Sequence, residues 1–182
     1  AFLDADDTVE STYYERGIRI LENYQNVHFV GAWTRYFGDS KNVWPTFNPE
    51  PPLILTHNTI NSSSLIYKRT AFLQAGKNDP DFKIGLEDYE SVVHLKSNGL
   101  NGVAIPEILF NYRVRKNSMI KKSTREVRSR YYSEIMKKYP SLFKSFHKEV
   151  EALNGFKAPL TFDNATLDDF PFQHVPILNS AV

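Results

Sequence analysis

Three acids occupy four positions near the start of the chain: Asp4, Asp6 and Asp7 in "AFLDADDTVE". Carboxylates so spaced are donors for hard cations such as Mg, Mn or Ca, and they are also groups that attack or protonate a phosphoryl centre. A second acidic group, "GLEDYE", sets Glu87 and Asp88 at the start of a helix, where a carboxylate can take a proton from a hydroxyl. Adjacent side chains on a helix point in different directions, so these two are not expected to share one role. A third stretch, "YRVRKNSM", holds Arg113 and Arg115, whose guanidinium forks bind phosphate oxygens in pairs. Each group also has a plainer reading: acids cap a helix start and arginines sit on a solvated loop. Of the histidines, His94 is expected to be a packed or surface residue of its helix, and His57 a candidate for substrate contact.

The elements that must position these groups can be read from pattern. "AFL" reads as the end of a buried parallel strand, with the acids at its C-terminal edge, where open α/β sheets place ligands. Tyr14, Ile18 and Leu21 recur at steps of four and three, giving the apolar stripe of a helix from Ser11 to about Tyr24. "VHFVGAW" (27–33) follows as a strand, so the three form one βαβ unit. Residues 34–58, rich in Pro, Asn, Gly and aromatics, read as a long irregular loop or short hairpin covering a ligand site. "SSLIY" (63–67) reads as a strand and "KRTAFLQAG" as a helix closed by Gly76. "LEDYESVVHLKSNG" (86–99) is a second helix, and "GVAIPEILFNYRV" gives two short strands divided by Pro106. Ser123 with Glu126 forms a capping box that opens a basic helix to about Tyr139, and Pro140 opens another to about Leu153. The tail from Gly155 shows no periodicity.

Composition limits the functions available. The chain has 182 residues, 41% of them hydrophobic, enough for one sizeable core. There is no cysteine, so no disulfide framework, thiolate site or cysteine nucleophile exists, and a metal must take oxygen or histidine donors. No apolar run of membrane-spanning length and no signal peptide is visible, which leads us to expect a cytoplasmic domain. Residues 113–148 carry 12 Lys or Arg against 2 acids, leaving the rest of the chain net acidic. The basic helices are expected to pack Val127, Tyr131, Ile135 and Phe143 onto the domain. Their outer face suits the cytoplasmic surface of a membrane better than nucleic acid, which is not expected as a partner.

Read alone, "FLDADDTV" resembles the opening motif of haloacid-dehalogenase-like phosphatases, with Asp4 as nucleophile and Asp6 as general acid/base beside Mg. An EF-hand loop is excluded because Val9 stands where glycine is required. The same stretch resembles the "LDADD" segment of family 2 glycosyltransferases, and here the match extends far downstream. "NTINSSSLIYKRTAFLQAGKNDPDFKIGLEDYE", "I-P-E-x-L" and "Y-R-x-x-x-x-S-M" follow in that family's order over most of residues 1 to 120.

The resemblance implies a partial GT-A fold, an α/β structure with a mixed sheet and flanking helices. Residues 1–120 would be the C-terminal, metal- and acceptor-binding part of the domain, 121–154 a basic helical extension, and 155–182 an irregular tail. It implies that Asp4 and Asp6 hold a divalent cation (Mn or Mg), that Asp7 supports them, and that Asp88 is the general base, with Glu87 as runner-up or acceptor-binding group. Many relatives have histidine where Arg115 stands, and arginine cannot ligate a cation, so either the metal has fewer protein ligands here or Arg113 and Arg115 bind the diphosphate directly. The implied partners are a nucleotide-sugar donor and a glycan or lipid-linked acceptor. On this reading Ala1 lies within a strand, the nucleotide-binding half precedes it, and the face left open is expected to make chains associate. A non-enzymatic alternative is a binding module whose basic arm meets anionic surfaces.

Overall fold

The computed structural model describes residues 1–80, 82, 86–116 and 125–155. Two long strands, β2 (Phe29–Gly38) and β5 (Gly102–Val114), run parallel through the middle of a five-stranded mixed sheet. β1 (Thr8–Val9) pairs antiparallel with β5, while β3 (Val43–Trp44) and β4 (Ile66–Tyr67) pair antiparallel with the two ends of β2.

Side-chain alternation along the strands divides the core in two. Val30, Ala32 and Ile105 face α1 (Tyr13–Asn23), whereas Phe29 and Ala104 face α3 (Glu87–Ser97). The helices α4 (Arg125–Lys138), α5 (Pro140–Ser145) and α6 (His147–Gly155) join the second face through Ile135, Phe143 and Val150. The basic segment therefore shares the core of the sheet. A short α2 (Arg69–Gln74) precedes α3, and Gly76 beyond it has a φ of +95°.

Several expectations are corrected. Ala1–Asp4 form no strand and are exposed: among the described residues no strand pairs with them, although the Phe2 ring meets that of Tyr67 on β4. β1 starts only at Thr8 and runs antiparallel to its neighbour β5, with β5 between it and β2, so β1, α1 and β2 are not a parallel βαβ unit. The buried stripe of α1 is Tyr13, Gly17 and Leu21, while Tyr14 and Ile18 face outward. Gly17 faces β4 at close range: a Cβ there would meet the Cδ1 end of the Ile66 side chain, which would have to shift.

Pro106 does not divide two strands. The ladder pairs Ala32 with Ile105 and then Trp33 with Ile108, so Pro106 and Glu107 bulge out and β5 continues as one strand. Residues 34–58 contain the end of β2, β3 and a short 3-10 helix at Leu53–Leu55; Ser62–Ser64 form another ahead of the two-residue β4. The expected single helix after Pro140 is interrupted at Phe146. The capping box at Ser123, the Val127 side chain and the tail 156–182 lie outside the described residues. Among the described residues no helix is long and apolar enough to cross a membrane.

The long loop is fixed to α3 by a buried lysine. Lys96 is 9% exposed, and its ammonium donates to both oxygens of Glu50 (3.1 and 3.0 Å) and to Asn101 Oδ1 (3.0 Å). All three of its donors are used, which offsets the desolvation of the charge.

Candidate functional site

The acids of "DADD" form a turn. The Asp7 amide donates to the Asp4 carbonyl (3.1 Å), and β1 then docks this turn beside the C-terminal end of β5 through Thr8 opposite Asn111 and Val9 opposite Phe110. The register brings Arg113 and Arg115 directly onto the acids. The Arg113 amide donates to Asp7 Oδ1 (2.7 Å), Arg113 Nε donates to the Asp6 carbonyl (3.1 Å), and Arg115 Nη2 pairs with Asp6 Oδ2 (2.6 Å). The Arg113 guanidinium also lies over the Phe37 ring, 4.5 Å from its centre.

Between these groups opens a pocket of about 570 Å³, lined by Ala5, Asp6, Gly38, Asp39, Arg113, Val114 and Arg115. Gly38 has a φ of +86°, and a Cβ there would lie 2.7 Å from the Val114 carbonyl oxygen. The Asp39 carboxylate accepts from the Lys116 amide (2.7 Å), so its charge is already engaged at the rim.

Asp7 is the buried member of the acidic turn, 6% exposed. Its Oδ2 has no hydrogen-bond partner among the described residues. Burial first, then the charges of Asp6 and Asp4, push its carboxyl up from the ordinary 3.8 to about 6, against the opposing effect of the Arg113 amide and charge.

Asp88 lies in the first turn of α3, after Leu86, which adopts a left-handed φ of +58°. Asp88 and Glu87 are both open to solvent at their surfaces. The protein around Asp88 nonetheless raises its carboxyl above the usual carboxylate range; burial is the largest cause, the charge of Asp4 the second and that of Glu87 the third. The charge of Asp4 thus bears on Asp88 although 84 positions separate them. The phenol of Tyr112 reports the same convergence: burial and the charges of Asp7, Asp88, Asp4 and Asp6, in that order, hold it protonated beyond its ordinary range. Tyr67 is raised likewise, by burial and then by Asp88.

The structure therefore brings together Asp4, Asp6, Asp7, Arg113 and Arg115, with Asp88 within their electrostatic reach. Glu87 touches the group only through its charge on Asp88. His94 bonds the Ala75 carbonyl (2.6 Å) and His57 lies 3.0 Å from its neighbour Thr56 Oγ1; neither reaches the acids in these contacts. Tyr112, Tyr67 and Asp39 were not singled out by sequence reasoning. For Tyr112 a signal existed, since it lies two residues from the core Phe110 on the same face of β5 and directly precedes Arg113.

The donor chemistry fits a hard cation. The carboxylates are all-oxygen donors, and one buried Asp7 oxygen lacks a partner. Among the described residues no three His, Asp or Glu side chains converge closely enough to hold a metal by themselves. A cation at Asp4 and Asp6 would be of the Mg type, which takes one or two protein carboxylates and completes its shell with water and substrate phosphate.

This mixed α/β sheet flanked by helices resembles, in fold alone, that of a known protein. The likeness is to a solved structure, S. aureus TarS residues 1–349 in complex with UDP-GlcNAc, with a TM-score of 0.50 and 13% sequence identity over 86% of this chain. The match covers 52% of that chain, so this one spans about half its length. No family model and no curated protein matches the sequence.

Proposed function

We propose that the chain is the metal- and acceptor-binding part of a glycosyltransferase of the family 2 type, which moves a sugar with inversion from a nucleotide-diphosphate sugar to a hydroxyl of a glycan or lipid-linked acceptor. What supports this reading is that the charge of Asp4 bears on Asp88 and that the charges of both bear on Tyr112, although the two acidic motifs are distant in sequence. UDP-GlcNAc in the TarS complex supports a nucleotide sugar as donor.

In this mechanism Asp4 and Asp6 would hold Mg or Mn, which would offset negative charge on the diphosphate. Asp7 anchors the turn through its bond from the Arg113 amide. Arg113 and Arg115 face the open pocket and bind diphosphate oxygens, and Arg115 exchanges its Asp6 partner for phosphate when the donor arrives. Asp88 accepts the acceptor hydroxyl proton as that oxygen bonds to the anomeric carbon. The bond from that carbon to the diphosphate breaks, its electron pair leaves with the diphosphate, and the configuration inverts. A raised pKa suits this role, because a stronger base takes the proton more readily. Glu87, beside it and solvent-facing, is placed to bind the acceptor. The basic helices would face anionic lipid on the cytoplasmic side of the membrane.

The test is transfer by the full-length protein carrying Asp88→Asn. The reading expects loss of turnover by at least a hundredfold with donor binding retained. Near-normal turnover would remove Asp88 as base.

A further inference from the structure

The first turn of α3 is held from behind by a charge cluster that the site chemistry does not use. Glu90, two residues after Asp88, is 1% exposed. Its Oε1 accepts from Lys138 Nζ (2.6 Å), at the end of α4, and also from the Tyr139 hydroxyl. The same Lys138 ammonium pairs with Asp79, in the loop that leads into α3, and stands over the Phe82 ring at 5.1 Å. A further bond joins that loop to the helix, from Ser91 Oγ to Asn78 Oδ1 (2.8 Å). Lys138 thus reaches three separate pieces of chain: the loop before Asp88, the helix turn that carries it, and the basic helix.

We propose that Lys138 is a positioning residue, clamping Asp79 and Glu90 so that the first turn of α3, and Asp88 with it, is fixed relative to the acidic turn. A buried carboxylate must be matched by a buried or half-buried cation, and among the described residues Lys138 is the cation bonded to Glu90. It comes from an element more than forty residues away, so the order of the Asp88 turn depends on α4 being docked. The catalytic consequence rests on the reading of Asp88 given above, whereas the clamp itself does not.

Two readouts separate these. Hydrogen exchange in the full-length protein tests the clamp directly. Because Lys138→Met alone leaves the buried Glu90 charge with the Tyr139 hydroxyl but without its cation, it is paired with a Lys138→Met/Glu90→Gln variant, which removes both charges together. In each, amides 88–92 are expected to exchange at least tenfold faster while those of β2 and β5 are unchanged, with Lys138→Arg close to wild type. Unchanged exchange in 88–92 in the double variant would overturn the clamp. UDP release from UDP-GlcNAc with MnCl2, water serving as acceptor, tests the consequence: kcat falls at least tenfold, KM for the donor stays within twofold, and Lys138→Arg restores most of kcat. Faster exchange with an undiminished kcat would overturn the positioning role. No UDP release by the wild type would count against the transferase reading, and the exchange result would then judge the clamp alone.

Discussion

Asp7→Asn is predicted to make the protein more stable at neutral pH while impairing its site. Asp7 is an acid whose folded pKa is raised, from 3.8 to about 6. Above the lower value the unfolded chain has released this proton, while the folded protein keeps it until about pH 6. Stability therefore falls as pH rises through that window, and the deficit is complete above it. At about 1.4 kcal/mol per unit the deficit amounts to roughly 3 kcal/mol at pH 7.5 and about 1 kcal/mol at pH 4.5. Asparagine mimics the protonated acid: its Oδ1 can still accept from the Arg113 amide, and its NH₂ takes the place of the unpartnered Oδ2. Urea denaturation with EDTA present, at pH 4.5 and 7.5, reads the difference. The variant should gain on wild type by about 3 kcal/mol at the higher pH and by about 1 kcal/mol at the lower. An Asp7→Asn protein less stable than wild type at pH 7.5, or with an equal pH slope, would refute the claim that this carboxyl is held under strain.

Other consequences can be checked more briefly. Arg115→Leu breaks a solvent-exposed pair with Asp6, so the melting temperature should hardly move, while KM for the nucleotide sugar rises about tenfold through a lost phosphate contact. Gly17→Ala sets a methyl against the movable Cδ1 of Ile66, so a side-chain shift and the better helix propensity of alanine should keep the change in urea unfolding within about 1 kcal/mol, with no effect on donor affinity. The acid limb of the kcat profile should lie above the ordinary carboxylate range, because burial raises Asp88, and turnover should increase with pH through that limb. Incubation with p-nitrophenyl phosphate and Mg should give no turnover; hydrolysis abolished by Asp4→Asn would instead support the phosphatase reading of "DADDTV".

The acidic turn and the "GLEDYE" helix were legible because both are local. Charge spacing and an acidic first turn are properties of a few consecutive residues, and the structure keeps α3 where its pattern put it, at Glu87–Ser97. What escaped depends on partners distant in the chain. "AFL" has a strand's composition, but a strand exists only where a neighbour accepts its hydrogen bonds, and none pairs with it among the described residues. Counting apolar residues put Tyr14 and Ile18 inward, whereas the close approach to Ile66 is made at Gly17, a residue that such counting scores as nothing. Pro106 reads as a break from its own chemistry, yet the ladder with β2 tolerates it as a bulge. Tyr112 looks like one more aromatic of the sheet until the pairing of β1 with β5 brings the charges of Asp4, Asp6 and Asp7 to bear on it, with that of Asp88 added from α3. The Lys138 clamp joins residues nearly fifty and sixty positions apart, which no local pattern announces.

The central claim is that the two acidic motifs form one sugar-transfer site. Its most direct test is release of nucleoside diphosphate from a panel of nucleotide sugars by the full-length protein, compared with Asp4→Asn/Asp6→Asn and Asp88→Asn. The account predicts Mn- or Mg-dependent release from at least one donor, abolished in both variants, with donor binding weakened only in the first. Release that is unaffected in either variant, or absent with every donor, would contradict it.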